Sequence, residues 1–318
     1  MKKKIIITIT FLLGTFFITS WINSIRRNSE EVFNELAMSN IYSEESKENN
    51  QEKKLSISEN KIDEIVKRNV AAYEDNVSVY YYNFDTGEEY SYNGDKYYVA
   101  ASTTKVPLAM SVLDEVYNEK YSLDTKIQYT NDDYEEGTGI LYQEDHIDPI
   151  TIEEAVYLSI VYSDNIAKNM LKSIDAMSNY DYIGNIVGES PEQEENHYTA
   201  KELGEVLEKL YYNEEGNPYY DKIIEYMKET EFHDRMDKYL PYSEVAHKIG
   251  SYYRYYHDMG IVYGKENYAL VVMTKDIGEL NQDYIEDEDK LNLLDYGKQA
   301  SELIANISYD IYNLIENY

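Results

Sequence analysis

Cysteine is absent from the 318-residue chain. That excludes disulfides, thiolate metal sites, a cysteine nucleophile and lipid attachment through a cysteine. Positive charge is scarce: 29 Lys and Arg face 61 Asp and Glu, a formal net charge of -32. Such an excess repels nucleic acid and anionic membrane surfaces. It also repels an anionic substrate, unless the pocket supplies local positive charge. Histidine is sparse, with five scattered residues. No H-E-x-x-H pair is present; zinc held by His and carboxylates stays open but has no pattern to support it, and no cofactor is expected. What the chain has in quantity is tyrosine, at 37 residues, and 43% hydrophobic residues, enough to build a core.

Lys2, Lys3 and Lys4 precede an apolar run from Ile5 to Ile22. A basic flank before such a run reads as an export signal or a single membrane span. No small-x-small cleavage pattern follows Trp21, which favours an uncleaved anchor over residues 1–27; a cleaved signal is the alternative. Either way the body is expected outside the cytoplasm. Residues 28–59 are rich in Glu, Asn, Ser and Lys and read as a polar tether.

The globular part is expected over residues 60–318. Ile62, Ile65, Val66 and Val70 mark a helix over Lys61 to Tyr73. Val77 to Asn83 and Glu89 to Tyr92 read as strands, joined through Asp85-Thr86-Gly87. From Ser102 to about Tyr242 the pattern is helical, clearest over Ala101 to Val116, Ile152 to Ser173 and Thr199 to Tyr212. Strands return at Val245 to Ile249, His257 to Tyr263 and Tyr268 to Thr274. An amphipathic helix, Tyr296 to Asn317, closes the chain. This order predicts an α+β fold: one antiparallel sheet flanked by the terminal helices, with an all-helical subdomain inserted over about residues 102–242. A pocket is expected at the seam between them.

Three elements carry candidate chemistry. In Ala101-Ser102-Thr103-Thr104-Lys105 the Ser and Lys share one helical face. A serine hydroxyl needs a base to become a nucleophile, and a lysine can be that base when burial or nearby charge lowers its pKa. The spacing alone is weak: Ser58-Glu59-Asn60-Lys61 has it too, at the tether's edge, and Ser102 could simply cap a helix. Ser163-Asp164-Asn165 interrupts an apolar helical pattern, either as a proton-relaying and substrate-orienting pair or as a solvated helical turn. Lys248-Ile249-Gly250 lies on a strand whose alternation puts Ala246, Lys248 and Gly250 on one face and His247 and Ile249 on the other.

S-x-x-K, then S-D-N, then K-x-G, in this order and setting, resembles the class A beta-lactamase and penicillin-binding-protein superfamily over about residues 60–318. The resemblance implies Ser102 as the acylated nucleophile, Lys105 as its deprotonating partner and Ser163 as the proton donor to the leaving amine. It further implies Asn165, Lys248, Gly250 and Ser251 in substrate binding, with the amides of Ser102 and Ser251 as the oxyanion hole. Implied substrates are a beta-lactam or a peptidoglycan peptide, acted on by a monomer.

Two departures stand out. Ile249 replaces the usual Thr or Ser. The stretch from Ala176 to Tyr198 lacks the E-x-x-L-N pattern whose glutamate activates the deacylating water, and Glu189, Glu192, Glu194 and Glu195 read as a solvated charge run. Slow deacylation is therefore expected. The acidic segments Asp132 to Glu136 and Glu286 to Asp289 read as exposed loops without calcium-loop spacing.

Overall fold

Hydrophobic periodicity places the first and last helices against the same sheet. The computed structural model describes residues 60–188, 196–278 and 293–317. Residues 59–318 form one compact unit. The N-terminal run, the tether, Glu189 to Glu195 and the Glu286 to Asp289 segment lie outside the described residues. Among the described residues no helix is long and apolar enough to cross a membrane.

Helix α1 covers residues 60–70 and leads through a 3-10 turn into strand β1 (Val77–Asn83), followed by β2 (Glu89–Tyr92) and the short β3 (Tyr98–Val99). A second 3-10 turn, Ala101–Thr104, opens α2 (Lys105–Tyr117). Short strands β4 (Lys126–Ile127) and β5 (Ile150–Thr151) precede α3 (Ile152–Val161), α4 (Asn165–Lys172) and α5 (Asn179–Val187). After β6 (His197–Tyr198) come α6 (Ala200–Tyr212) and α7 (Tyr220–Lys228). The chain then returns to the sheet with β7 (Val245–Tyr252), β8 (Tyr255–Val262) and β9 (Tyr268–Lys275), and α8 (Leu293–Asn317) closes it.

The main sheet runs β2-β1-β9-β8-β7, with every neighbour antiparallel. Strands from both ends of the chain meet at the β1–β9 pairing, where Val77 faces Thr274 and Asn83 faces Tyr268. Alternation along β1 gives the sheet two buried faces. Val77, Val79 and Tyr81 join a core with Ile62, Val66 and Val70 of α1 and Ile304, Ile307 and Ile311 of α8. Tyr80 belongs to a second core, with Leu113 of α2, Ile160 of α3, Met170 of α4 and Leu207 of α6. Each fully buried aliphatic side chain contributes about 1.5–3 kcal/mol. The expected α+β architecture, with its helical insertion on one sheet face, is the one observed.

One expected helix is two. The Ile152 to Ser173 pattern breaks after Val161: Ser163 takes a left-handed φ of 53°, and Asp164 becomes the N-cap of α4, its carboxylate accepting from the Ala167 amide. Such a cap contributes about 1 kcal/mol. The strands β7 and β8 are longer than expected because they close on a tight turn at Tyr253 and Arg254, where Tyr253 has a φ of 49°.

Candidate active site

Chain geometry brings the first two motifs into direct contact. Ser102 stands in the 3-10 turn that opens α2, and neither that turn nor α2 has a side-chain cap at its start, so Ser102 is not a helix cap. The residue before it, Ala101, is held at a φ of 54°. Left-handed non-glycine backbone costs free energy that the surrounding fold must offset, and such strain concentrates at functional sites. Ser102 therefore leaves the strand on a sharp corner, with its hydroxyl on the wall of a crevice of about 1030 Å³.

Lys105, one turn on, is buried, and its Nζ lies 3.1 Å from Ser102 Oγ, 2.5 Å from the Ser163 carbonyl, 3.2 Å from Ser163 Oγ and 2.9 Å from Asn165 Oδ1. The carbonyl and the amide oxygen only accept, so a neutral Lys105 gives its two N–H bonds to them. Its lone pair is then left for the two hydroxyls. Burial holds the Lys105 pKa well below the ordinary lysine range, and the positive charges of Lys248 and Lys168 push it the same way. Both effects favour the neutral amine that can accept a proton.

The break between α3 and α4 turns the second motif inward. Ser163 and Asp164 are buried, not solvated. Asp164 Oδ2 accepts from the amides of Ile140 and Leu141 and so pins the 137–141 loop to α4. Gly139 has a φ of 111°, and a Cβ there would sit 2.1 Å from that carboxylate, so only glycine fits. The same loop supplies Thr138, whose hydroxyl donates to the Ser163 carbonyl at 2.7 Å, and Glu136, whose carbonyl accepts from Asn165 Nδ2 at 3.1 Å. That second bond fixes which end of the Asn165 amide faces Lys105.

The third motif closes the other wall. A Cβ on Gly250 would lie 2.7 Å from the Ala100 carbonyl, so glycine lets β7 approach the turn that carries Ser102. Ser251 lines the crevice, as do the exposed rings of Tyr252 and Tyr253. The predicted alternation holds, since Ala246 packs into the insertion-side core and Val245 into the other. Lys248 is fully buried, and burial pushes its pKa down to about 7, Arg235 adding to the effect and Asp258 opposing it. Its Nζ donates to the Ile249 carbonyl at 3.2 Å and does not reach the crevice wall. It is near enough to depress Lys105 but makes no hydrogen bond to Ser102 or Ser163. Ile249 is also buried and off the wall.

Several contributors escaped the sequence reading. Arg235 donates to the Gly250 and His257 carbonyls at 2.9 and 2.6 Å and to Ser251 Oγ at 2.6 Å, placing a permanent positive charge behind the third motif. No spacing pattern marks it. The Asp132 to Glu136 segment is not simply an exposed loop: Asp133 is buried, and Glu135 and Glu136 line the crevice. Glu135 is bound by Lys168 at 2.8 Å and Asn169 at 2.9 Å. Burial works against its charge, but these partners prevail and hold its pKa below the usual range. Asn179 also lines the crevice, with Nδ2 donating to the Thr104 carbonyl at 3.0 Å and its buried Oδ1 without a partner. Lys168 and Lys172 on the wall supply local positive charge that an anionic substrate needs in so acidic a protein.

A serine and a lysine in contact, backed by a second serine at the seam of an antiparallel sheet and a helical block, are the arrangement of a serine hydrolase. The chain belongs to the beta-lactamase enzyme family, whose model matches residues 58–315. Its fold is similar to that of PBP-A, at 20% identity and a TM-score of 0.67, covering 81% of this chain and 97% of that one. A mutant of PBP-A solved as an acyl-enzyme complex with penicillin G gives 21% identity, the same TM-score and the same coverage. The TLA-3 extended-spectrum beta-lactamase matches at 19% identity and a TM-score of 0.66, over 81% of this chain and 99% of that one. A beta-lactamase from Sphaerobacter thermophilus matches at 21% and 0.63, over 80% and 97%. No curated protein matches the sequence at a significant level.

Proposed function

We propose that the protein opens beta-lactam amides through a covalent ester on Ser102, and that it acylates faster than it deacylates. The observation that carries this reading is Lys105 Nζ standing between the Ser102 and Ser163 hydroxyls, at 3.1 and 3.2 Å, with its pKa depressed. Neutral Lys105 takes the Ser102 proton as Oγ bonds to the lactam carbonyl carbon. The carbonyl electrons move onto oxygen, where the amides of Ser102 and Ser251 are the proposed donors, each contributing about 3 kcal/mol. When the carbon–nitrogen bond breaks, the nitrogen takes its proton from Ser163, which is replenished from Lys105. The substrate carboxylate is drawn to the Ser251 hydroxyl, which Arg235 holds at 2.6 Å, by the positive charge of Arg235 and Lys248 behind it, with Asn165 and Gly250 shaping the approach.

Water must then cleave the ester. Among the described residues, the glutamates on the wall are Glu135 and Glu136. Glu135 is held as an ionised carboxylate by Lys168 and Asn169, which makes it a poor proton acceptor. Together with the lack of an E-x-x-L-N pattern between Ala176 and Tyr198, this supports slow deacylation. Stopped-flow kinetics with a penicillin tests it: acylation should outrun ester loss, and equal rates contradict the proposal.

The engagement of Glu135 by Lys168 and Asn169 also favours a second reading, a peptidase or transpeptidase acting on D-Ala-D-Ala peptides with the same nucleophile. Nitrocefin turnover against D-alanine release separates the two. A non-catalytic surface-binding relative is the third, and it predicts no labelling by a fluorescent penicillin. We also propose that residues 1–27 carry the monomeric body out of the cytoplasm and hold it at the membrane. Protease treatment of intact cells should remove the body; protection from protease contradicts this placement.

A further inference from the structure

Behind β7, on the face turned away from the crevice, His233, Asp237 and His247 come together. One donor atom from each lies within 4.8 Å of the others. His233 and Asp237 belong to the turn after α7, and His247 is the neighbour of Lys248 on the strand. Neither role proposed for Ser102 nor the substrate needs any of them.

The hydrogen bonding of His247 is asymmetric. Its Nδ1 is bonded to the Asp258 carboxylate, at 2.9 and 3.0 Å from the two oxygens. Its Nε2 is fully buried and makes no hydrogen bond, although Asp237 Oδ2 is only 3.3 Å away. Asp237 Oδ1, also buried, makes none either. A ring anchored to a carboxylate through Nδ1, with Nε2 directed at a neighbouring oxygen donor, is how a metal-bound histidine is held. His233 adds a second imidazole nitrogen, Nδ1, which is hydrogen-bonded to Asp237 Oδ2 at 2.5 Å. Its side chain is 35% exposed, which gives the cluster a route to solvent.

We propose that His233 Nδ1, Asp237 and His247 Nε2 bind a zinc-type divalent cation, with Asp258 orienting His247 and water completing the coordination. Two imidazoles and one carboxylate suit zinc rather than calcium or magnesium, which take oxygen donors. Donors around tetrahedral zinc stand about 3.3 Å apart. The His247 to Asp237 separation already matches this, whereas the His233 ring, stacked on Tyr242, would have to slide outward along that stack to open its closer contact with Asp237. The ion would fasten the 233–237 turn to β7. That turn carries Arg235, which holds Gly250 and Ser251, so the site would stiffen the crevice wall from behind.

The full-length protein, stripped with EDTA and dialysed against Zn²⁺, should retain one zinc per chain. Co²⁺ should give the visible bands of a tetrahedral nitrogen and oxygen site, and zinc should raise the melting temperature. Asp258→Asn, which leaves all three ligands in place, should weaken binding about 10–100-fold. His233→Ala, a change at a part-exposed ring, should weaken it at least tenfold and abolish the thermal shift. Failure of the wild type to retain zinc overturns the proposal, as does retention with unchanged affinity and thermal shift in His233→Ala. Neither result bears on acylation of Ser102.

Discussion

Neighbouring residues on β7 show how one strand serves two environments. Lys248 and His247 are both fully buried, on opposite faces of the sheet. Lys248 faces the insertion, where burial and Arg235 push its pKa down to about 7. His247 faces the terminal-helix side. Burial works against its charge as well, but Asp258 and Asp237 overcome it and push the pKa up to about 10. Desolvation is common to both; the difference is the company of carboxylates. The insertion face keeps cations short of counter-charge, which favours a neutral Lys105 and a site for anions. The opposite face spends its carboxylates on holding the sheet to the turn behind it.

Removing either side chain should break this contrast in opposite directions. In metal-free protein, His247→Leu leaves the buried Asp258 without its imidazole and Asp237 with His233 alone, and should lower stability by about 3–5 kcal/mol. Lys248→Met removes an isolated buried charge and should raise stability, by about 1–2 kcal/mol. It should also let the Lys105 pKa rise, so that the acid limb of the acylation profile moves to higher pH. Urea unfolding and stopped-flow acylation measure the two halves, and a stability change of the same sign in both variants would erase the contrast.

The pH profile sharpens it further. Lys105 must be neutral to act, so kcat/KM for acylation should rise with pH through its pKa and level off well below the ordinary lysine range. Lys168→Gln removes one of the charges that depress Lys105 and leaves Glu135, which opposes the depression, unpaired. Its acid limb should move to higher pH, and an unmoved limb argues against Lys105 as the base. The smallest effect expected is that of Ser251→Ala: losing one hydrogen-bonding hydroxyl should weaken carboxylate-bearing substrates about fivefold, near 1 kcal/mol.

Much of this was legible in the sequence where the signal was local. Period-two alternation fixed the faces of β7, and the ends of β1 and β2 fall where the turn residues put them. Spacing on one helical turn brought Ser102 and Lys105 together. The break at Ser163 was legible in principle, since Ser-Asp-Asn are helix-capping residues, but the apolar run on both sides masked it. Arg235, Glu135, Asn179 and the His233, Asp237 and His247 cluster were not legible. Their partners come from separate elements, and only the closed sheet and the capped 137–141 loop bring them together. Lys248 was identified and its face read from strand alternation, but not how deeply packing would bury it.

Mass measurement of the intact protein after exposure to a penicillin, beside Ser102→Ala, tests the central claim most directly. The wild type should gain the mass of one penicillin, on Ser102, and keep it for many times the acylation half-time, while the alanine variant gains nothing. An unmodified wild type that leaves the drug intact, or an adduct of equal yield on the variant, would contradict the account.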